Sequence, residues 1–238
     1  MAVYVTSDLH GLYPNRLEEL LKLAGFCDED WLYILGDVID RENDGGVEML
    51  KWLLLQPNAQ LILGNHEAML LSCDFLFSEI TDDNIEALDK KKMELVMNYM
   101  QNGGDVTLRT LRALMHTDPD TVEDILDYLR DAPLYESVSA GGREFLLCHS
   151  GIDNFKKGKK LCDYAPDDLL WAWPSLEDEY FDDVTTVFGH TPTISFGKEH
   201  KGRILHTRTW IDVDVGVPYG NVPALLRLDD MKEFYLNE

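Results

Sequence analysis

The sequence predicts an α/β fold, on three observations. Apolar runs and amphipathic stretches alternate over residues 1–70. A second group of strand-like runs follows a long helical stretch. Asp, Asn and His residues recur just after the apolar runs, beside glycines, where open α/β sheets bind ligands.

Residues 3–6 read as a buried strand. Residues 13–24 read as a helix: Pro14 suits its first turn, Leu17, Leu20, Leu21 and Ala24 share one face, and Gly25 ends it. Residues 31–35 form the second strand, 47–55 the next helix, stopped near Pro57, and 60–63 the third strand. This β-α-β-α-β order implies a parallel sheet covered by helices. From about 67 to 131 the pattern turns helical and acidic, with amphipathic stretches at 84–101, 106–115 and 121–129. It predicts a helical insertion or cap, whose stripe Leu88, Met93, Val96, Met97 and Met100 packs as core or cap. Residues 134–138 and 144–148 return to strand patterns, and 184–188, 210–213 and 224–228 read as a second group of strands. The stretch 163–183 is very acidic, without Lys or Arg, and reads as a solvated face.

At 238 residues the chain is expected to be one domain, and 45% apolar with 10% aromatic residues exclude a disordered one. The net charge of −23 argues against a nucleic-acid backbone or an anionic membrane as the main partner. An anionic substrate would be repelled likewise, unless cations in its pocket reverse the field locally. Cys27, Cys73, Cys148 and Cys162 show neither zinc-knuckle spacing nor a disulfide framework, which fits free thiols in a reducing compartment. The N-terminus has no basic segment followed by a long apolar one, and no run approaches the ~18 apolar residues of a membrane helix. A cytoplasmic location is the expectation.

Six segments carry the chemistry: Ser7-Asp8-Leu9-His10-Gly11, Gly36-Asp37-Val38-Ile39-Asp40-Arg41, Gly64-Asn65-His66-Glu67, Cys148-His149-Ser150-Gly151, Gly189-His190-Thr191 and Asp212-Val213-Asp214-Val215-Gly216. The first five supply the oxygen and nitrogen donors that hold hydrolytic divalent metals. Asp8, Asp37, Asn65, His149 and His190 each follow an apolar strand, and the glycines let backbone approach closely.

In this order the segments resemble the metallophosphoesterase superfamily, and within it the phosphoprotein phosphatase branch in its compact phage and bacterial Ser/Thr phosphatase form. The resemblance runs from residue 3 to about 228 and is weakest over 73–133. It implies an α/β/β/α sandwich with the helical insertion, and one catalytic domain over 1–238. It implies one metal on Asp8, His10 and Asp37, and another on Asp37, Asn65, His149 and His190, with Asp37 bridging. Mn²⁺ is the expected metal, though Fe and Zn²⁺ suit the same mixed donors. By the resemblance, a water or hydroxide held between two such ions would attack the phosphorus of a phosphorylated substrate, protein or small ester, in line, without a phosphoenzyme. By the same resemblance His66 protonates the leaving oxygen, Asp40 pairs with His66 and raises its pKa, and Arg41 binds phosphate oxygens as a fork.

Two positions depart from the pattern. Glu42 stands where a glycine belongs, and Trp173 stands about where a second phosphate arginine belongs, in Leu169-Leu170-Trp171-Ala172-Trp173-Pro174. Arg203 and Arg208 are the candidates to replace it. The aromatic pair could instead stack on a base, which favours the alternative of a dinucleoside polyphosphate hydrolase. A non-catalytic metal-bound scaffold is the other alternative, against which Asp40 and His66 argue. Cys148-His149 is not a cysteine-phosphatase loop, because Asn154 occupies the position such a loop needs as arginine. Asp214 is expected to line the site without being catalytic, and Glu67 to support the Asn65-His66 turn by a hydrogen bond. His116, His200 and His206 lack any such context.

Overall fold

Two five-stranded sheets pack face to face, and helices cover them, in a computed structural model that describes residues 1–77 and 90–236. The first sheet has the order β10-β9-β1-β2-β3, from β1 (Val3–Thr6), β2 (Trp31–Ile34), β3 (Ala59–Leu61), β9 (Ala224–Arg227) and β10 (Lys232–Tyr235). The second has the order β4-β5-β6-β8-β7, from β4 (Tyr135–Ala140), β5 (Arg143–Cys148), β6 (Val184–Phe188), β7 (Leu205–His206) and β8 (Trp210–Asp212).

Side-chain alternation assigns each strand two buried faces. In the first sheet Val3, Val5, Tyr33 and Leu35 pack against Phe145, Leu147, Val187 and Ile211 of the second, forming the layer between the sheets. Tyr4, Leu32 and Ile34 point the other way, into helices. The outer face of the second sheet buries Leu146, Cys148, Phe188 and Trp210 under Tyr164, Leu169 and Tyr180. Among the described residues one short α-helix, α7 (Pro166–Leu170), lies there, and loops and aromatic side chains supply most of that outer layer.

The helices of the first layer are α1 (Pro14–Ala24), α2 (Val47–Leu54), α3 (Asn65–Leu71), α4 (Lys90–Tyr99), α5 (Asp105–Met115) and α6 (Pro119–Asp131). Helix α1 buries Leu17, Leu20, Leu21 and Ala24 and ends on Gly25 at φ 77°, as its sequence predicts. Leu108 and Leu111 of α5 and Val122, Ile125 and Leu129 of α6 join the same core as Leu32 and Ile34. The helices after Glu67 are thus packed into the main core of the first sheet. The expected helix over 84–101 is described from Lys90 onward; its first residues and Leu88 lie outside the described residues. Of the expected stripe, Val96 is partly buried against the core whereas Met93, Met97 and Met100 are exposed, and Tyr99 is the side chain α4 buries fully.

One strand falls in a different sheet from the one expected. Residues 224–228 read as part of the second group, but β9 runs antiparallel to β1, pairing Tyr4 with Arg227 and Val5 with Leu226. It is buried on both faces, with Leu225 toward the helices and Ala224 and Leu226 toward the other sheet. The apolar run Ala224-Leu225-Leu226 ahead of Arg227 fits the interior of either sheet, so its pattern carries no sheet assignment. Among the described residues no helix is long and apolar enough to cross a membrane.

Candidate functional site

Strands β1, β2 and β3 are mutually parallel, and so are β5, β6 and β8. The C-terminal ends of each trio therefore emerge along one edge, and the loops from both sheets meet there. Asp8, His10 and Asp37 come from the loops after β1 and β2, and Asn65 and His66 open α3. His149, His190 and Asp214 follow β5, β6 and β8.

The backbone at this edge is forced into unusual conformations. Asp8, His10, Asp37, Asp40, Arg41 and His190 all have positive φ, six of the nine non-glycine residues that do so among the described residues. Such strain gathers at sites that the surrounding structure over-determines. Gly189 is required by contact: a Cβ there would lie 2.1 Å from Ser7 Oγ and 2.2 Å from Asp8 Oδ2.

Asp37 faces two groups of donors. Its Oδ2 lies 3.6 Å from His10 Nε2, which is also 3.9 Å from Asp8 Oδ1. Its Oδ1 lies 3.4 Å from His149 Nε2. Asn65 Oδ1 is 2.8 Å from His149 Nε2 and 3.0 Å from His190 Nδ1. The Nδ1 atoms of His10 and His149 lie 2.9 and 2.7 Å from the carbonyls of Ile39 and Leu35, so both rings turn an Nε2 lone pair inward.

This donor set fits a pair of cations. Ligand atoms 3.4–3.9 Å apart match two bonds of about 2.0–2.2 Å to one ion. Burial pushes His10 and His149 down and His190 down to about 2, so the three rings are neutral, the state in which an imidazole can bind a metal. Burial likewise pushes Asp8 and Asp214 up to about 7 and raises Asp37 well above the carboxylate range, the cost of gathering carboxylates away from water without a cation. His190 Nε2 is buried without a partner.

Residues 1–215 match the family model described as calcineurin-like phosphoesterase. The chain belongs to that family. The family is dimetal-dependent, and two His/Asp groups, His10–Asp37–His66 and Asp37–His149–His190, are placed to hold ions. Among curated relatives, a symmetrical bis(5'-nucleosyl)-tetraphosphatase of Buchnera aphidicola is 22% identical over 98% of this chain and 97% of its own. Proteins of the same name from Histophilus somni and Pasteurella multocida are 30% and 31% identical over 64% of this chain, an alignment that spans 45% of their length. Two solved structures share the fold. One provisionally named a diadenosine tetraphosphatase has a TM-score of 0.61 at 18% identity, covering 98% of this chain and 92% of that one. A protein serine/threonine phosphatase from Saccharomyces cerevisiae has a TM-score of 0.55 at 14% identity, covering 100% and 81%.

The rest of this phosphoesterase pocket differs from the metal groups in its electrostatics. His66 is also buried, which opposes its charge, but the carboxylates of Asp37 and Asp40 outweigh burial and its pKa is raised. Its Nδ1 lies 2.6 Å from Asp40 Oδ2, and its Nε2 lies 3.1 Å from Arg41 Nη2 and 3.8 Å from Asp37 Oδ2. Three of the four site imidazoles are thus held neutral, and one is poised to carry a proton. Glu67 accepts the backbone N–H groups of Asp37 at 2.8 Å, Val38 at 2.9 Å, Ile39 at 3.3 Å and Gly64 at 3.1 Å. The expected support of the Asn65-His66 turn is present, and the same carboxylate also fixes the Asp37 loop.

Trp171 and Trp173 both line the pocket and stand edge-on to His190, with ring centroids 5.9 and 5.8 Å away. Arg41 is the only Lys or Arg among its described lining residues. Neither candidate replaces the second arginine: Arg208 pairs with Glu179 at 2.5 Å, and Arg203 lies over the Tyr235 ring. Asp214 lines the pocket, with its Oδ1 accepting from Gly216 N–H. Sequence reasoning missed Asn102, Pro192, Pro218 and Tyr219 on the pocket wall, and Tyr99 and Thr107 behind Asp40. Only Thr107 left a signal, as a polar residue on the otherwise apolar face of the 106–115 helix with Leu108 and Leu111. The four cysteines are free thiols, with Cys73 and Cys148 buried.

Proposed function

We propose that this phosphoesterase cleaves the polyphosphate bridge of a dinucleoside polyphosphate, using two divalent metals, Mn²⁺ first among them, held by Asp8, His10, Asp37, Asn65, His149 and His190. The observation that carries the substrate class is the aromatic wall: Trp171, Trp173 and Tyr219, all substantially exposed, beside the donor groups. Exposed rings at a polar pocket offer stacking to a nucleobase, worth about 1–3 kcal/mol per base in single-stranded nucleic-acid complexes. The names of the curated relatives support the same class.

When bound, the metals supply an activated water and charge for the phosphoryl oxygens. The chain supplies the rest. Arg41 leaves His66 Nε2 for the stronger acceptor, a phosphate oxygen, and binds it through its fork. His66 gives its Nε2 proton to the departing oxygen, while Asp40 holds the opposite nitrogen. The described helices after Glu67 share the core of the first sheet, and Asn102 between α4 and α5 lines this pocket, which supports one catalytic domain over 1–238. A Ser/Thr phosphatase activity is the second reading, favoured by the Asp40–His66–Arg41 arrangement and weakened by the single arginine.

The test is product analysis with Mn²⁺-loaded protein. Diadenosine tetraphosphate should give ADP as the sole nucleotide product, the symmetrical split. Inert tetraphosphate with rapid release of phosphate from a phosphoserine peptide would overturn the reading in favour of the second.

A further inference from the structure

The Asp40 carboxylate is completely buried and carries more hydrogen bonds than a partner to one histidine needs. Its Oδ2 serves His66 Nδ1. Its Oδ1 accepts from two hydroxyls, Tyr99 Oη at 2.6 Å and Thr107 Oγ1 at 2.5 Å. Thr107 Oγ1 also accepts the Asp40 backbone N–H at 3.1 Å, so one side chain grips both ends of the residue.

The fold is arranged to bring these hydroxyls in. Tyr99 is fully buried at the end of α4, and Gly104 lies flat on its ring, where a Cβ would come within 2.4 Å of it. Gly45 lies equally close to Thr107, with a Cβ at 2.4 Å from Oγ1. Two glycines therefore allow α4 and α5 to dock on the loop that carries Asp40. A hydroxyl used only to satisfy the core would need no such focus on one oxygen.

We propose that Tyr99 and Thr107 are positioning residues for the reaction: they fix Asp40, and Asp40 fixes the ring of His66 for proton donation. This rests on reading His66 as the proton donor. In that step the oxygen of water bonds to phosphorus and the bond from phosphorus to the leaving oxygen breaks. The electron pair departs with that oxygen, which takes the proton from His66 Nε2. A proton from the attacking water restores His66. With one hydroxyl removed, Asp40 is free to rotate, and the ring loses its aim at the leaving oxygen.

The test uses Tyr99→Phe, Thr107→Val and, as the conservative control, Thr107→Ser. In metal-free protein, proton NMR should show the His66 Nδ1–H far downfield, because it lies in a short charge-assisted bond. Asp40→Asn should abolish that signal, Tyr99→Phe and Thr107→Val should shift it upfield, and Thr107→Ser should keep it. In Mn²⁺-loaded protein, turnover of phenyl phosphate, whose leaving group needs a proton, should fall about tenfold in Tyr99→Phe and Thr107→Val. Turnover of p-nitrophenyl phosphate should fall less than about twofold. An unmoved resonance, or equal losses on both esters, overturns the proposal. The reading of His66 fails separately, if His66→Asn itself lowers both esters equally.

Discussion

Glu67 shows how a residue that need not touch substrate can set a site. Its carboxylate takes four backbone N–H groups from two loops, and it is fully buried. Glu67→Gln replaces one acceptor oxygen with a donor that then faces N–H groups. The loss is expected to be about 1–3 kcal/mol, with weaker metal binding because Asp37 hangs on the same bonds. Urea unfolding and metal titration check it; unchanged metal affinity would separate Glu67 from the site. At this scale the sequence is most informative where residue types are chemically obligatory. Asp8, His10, Asp37, Asn65, His149 and His190 are legible because donor atoms and tight glycine turns have few substitutes. Tyr99 and Thr107 are not, because the carboxylate they hold lies 59 and 67 residues away, and a hydroxyl on a helix has many bland uses.

Among elements, the parallel trios explain why donor residues scattered from Asp8 to His190 converge. Each trio delivers three loops to one edge, and apolar runs ending in polar residues mark this in the sequence itself. What the runs leave out is partnership. Strand β9 buries apolar side chains on both faces ahead of Arg227, so nothing in its pattern favours β1 over the second sheet. The helices after Glu67 are equally ambiguous, since an amphipathic helix suits a cap as well as a core. Their burial decides it: Leu111 has no exposure and sits in the cluster that contains Leu32 and Ile34. Leu111→Ala should therefore lower global stability by about 2–5 kcal/mol, read as a shift of the single urea transition. A separate early transition confined to the helices would mean they unfold as a detachable unit.

At the scale of the whole molecule, charge dominates. A net charge of −23 would repel the proposed polyphosphate substrate until it is close enough to meet the pocket. Raising ionic strength from about 0.01 M to 0.2 M shortens the Debye length from about 30 Å to below 10 Å, so kcat/KM for the tetraphosphate should rise. A fall would show that the local positive field already controls capture. The site carboxylates couple the metals to folding. Asp8 and Asp214 titrate near 7 in the folded chain against 3.8 for a free carboxyl, so the folded state holds protons that the unfolded state releases between those values. Stability of metal-free protein therefore falls as pH rises through that window, whereas cations favour the ionised carboxylates. The gap in Tm between Mn²⁺-loaded and chelated protein should widen from about pH 5 to about pH 8. A constant gap would remove these carboxylates from the linkage.

The two indoles against His190 have an optical consequence. An unpaired-electron ion seated on that imidazole lies within quenching reach of both, whereas a closed-shell ion does not quench in the same way. The chain thus contains its own lamp: tryptophan emission should dim as Mn²⁺ binds and stay brighter with Zn²⁺, so occupancy of one ion position becomes visible without any substrate.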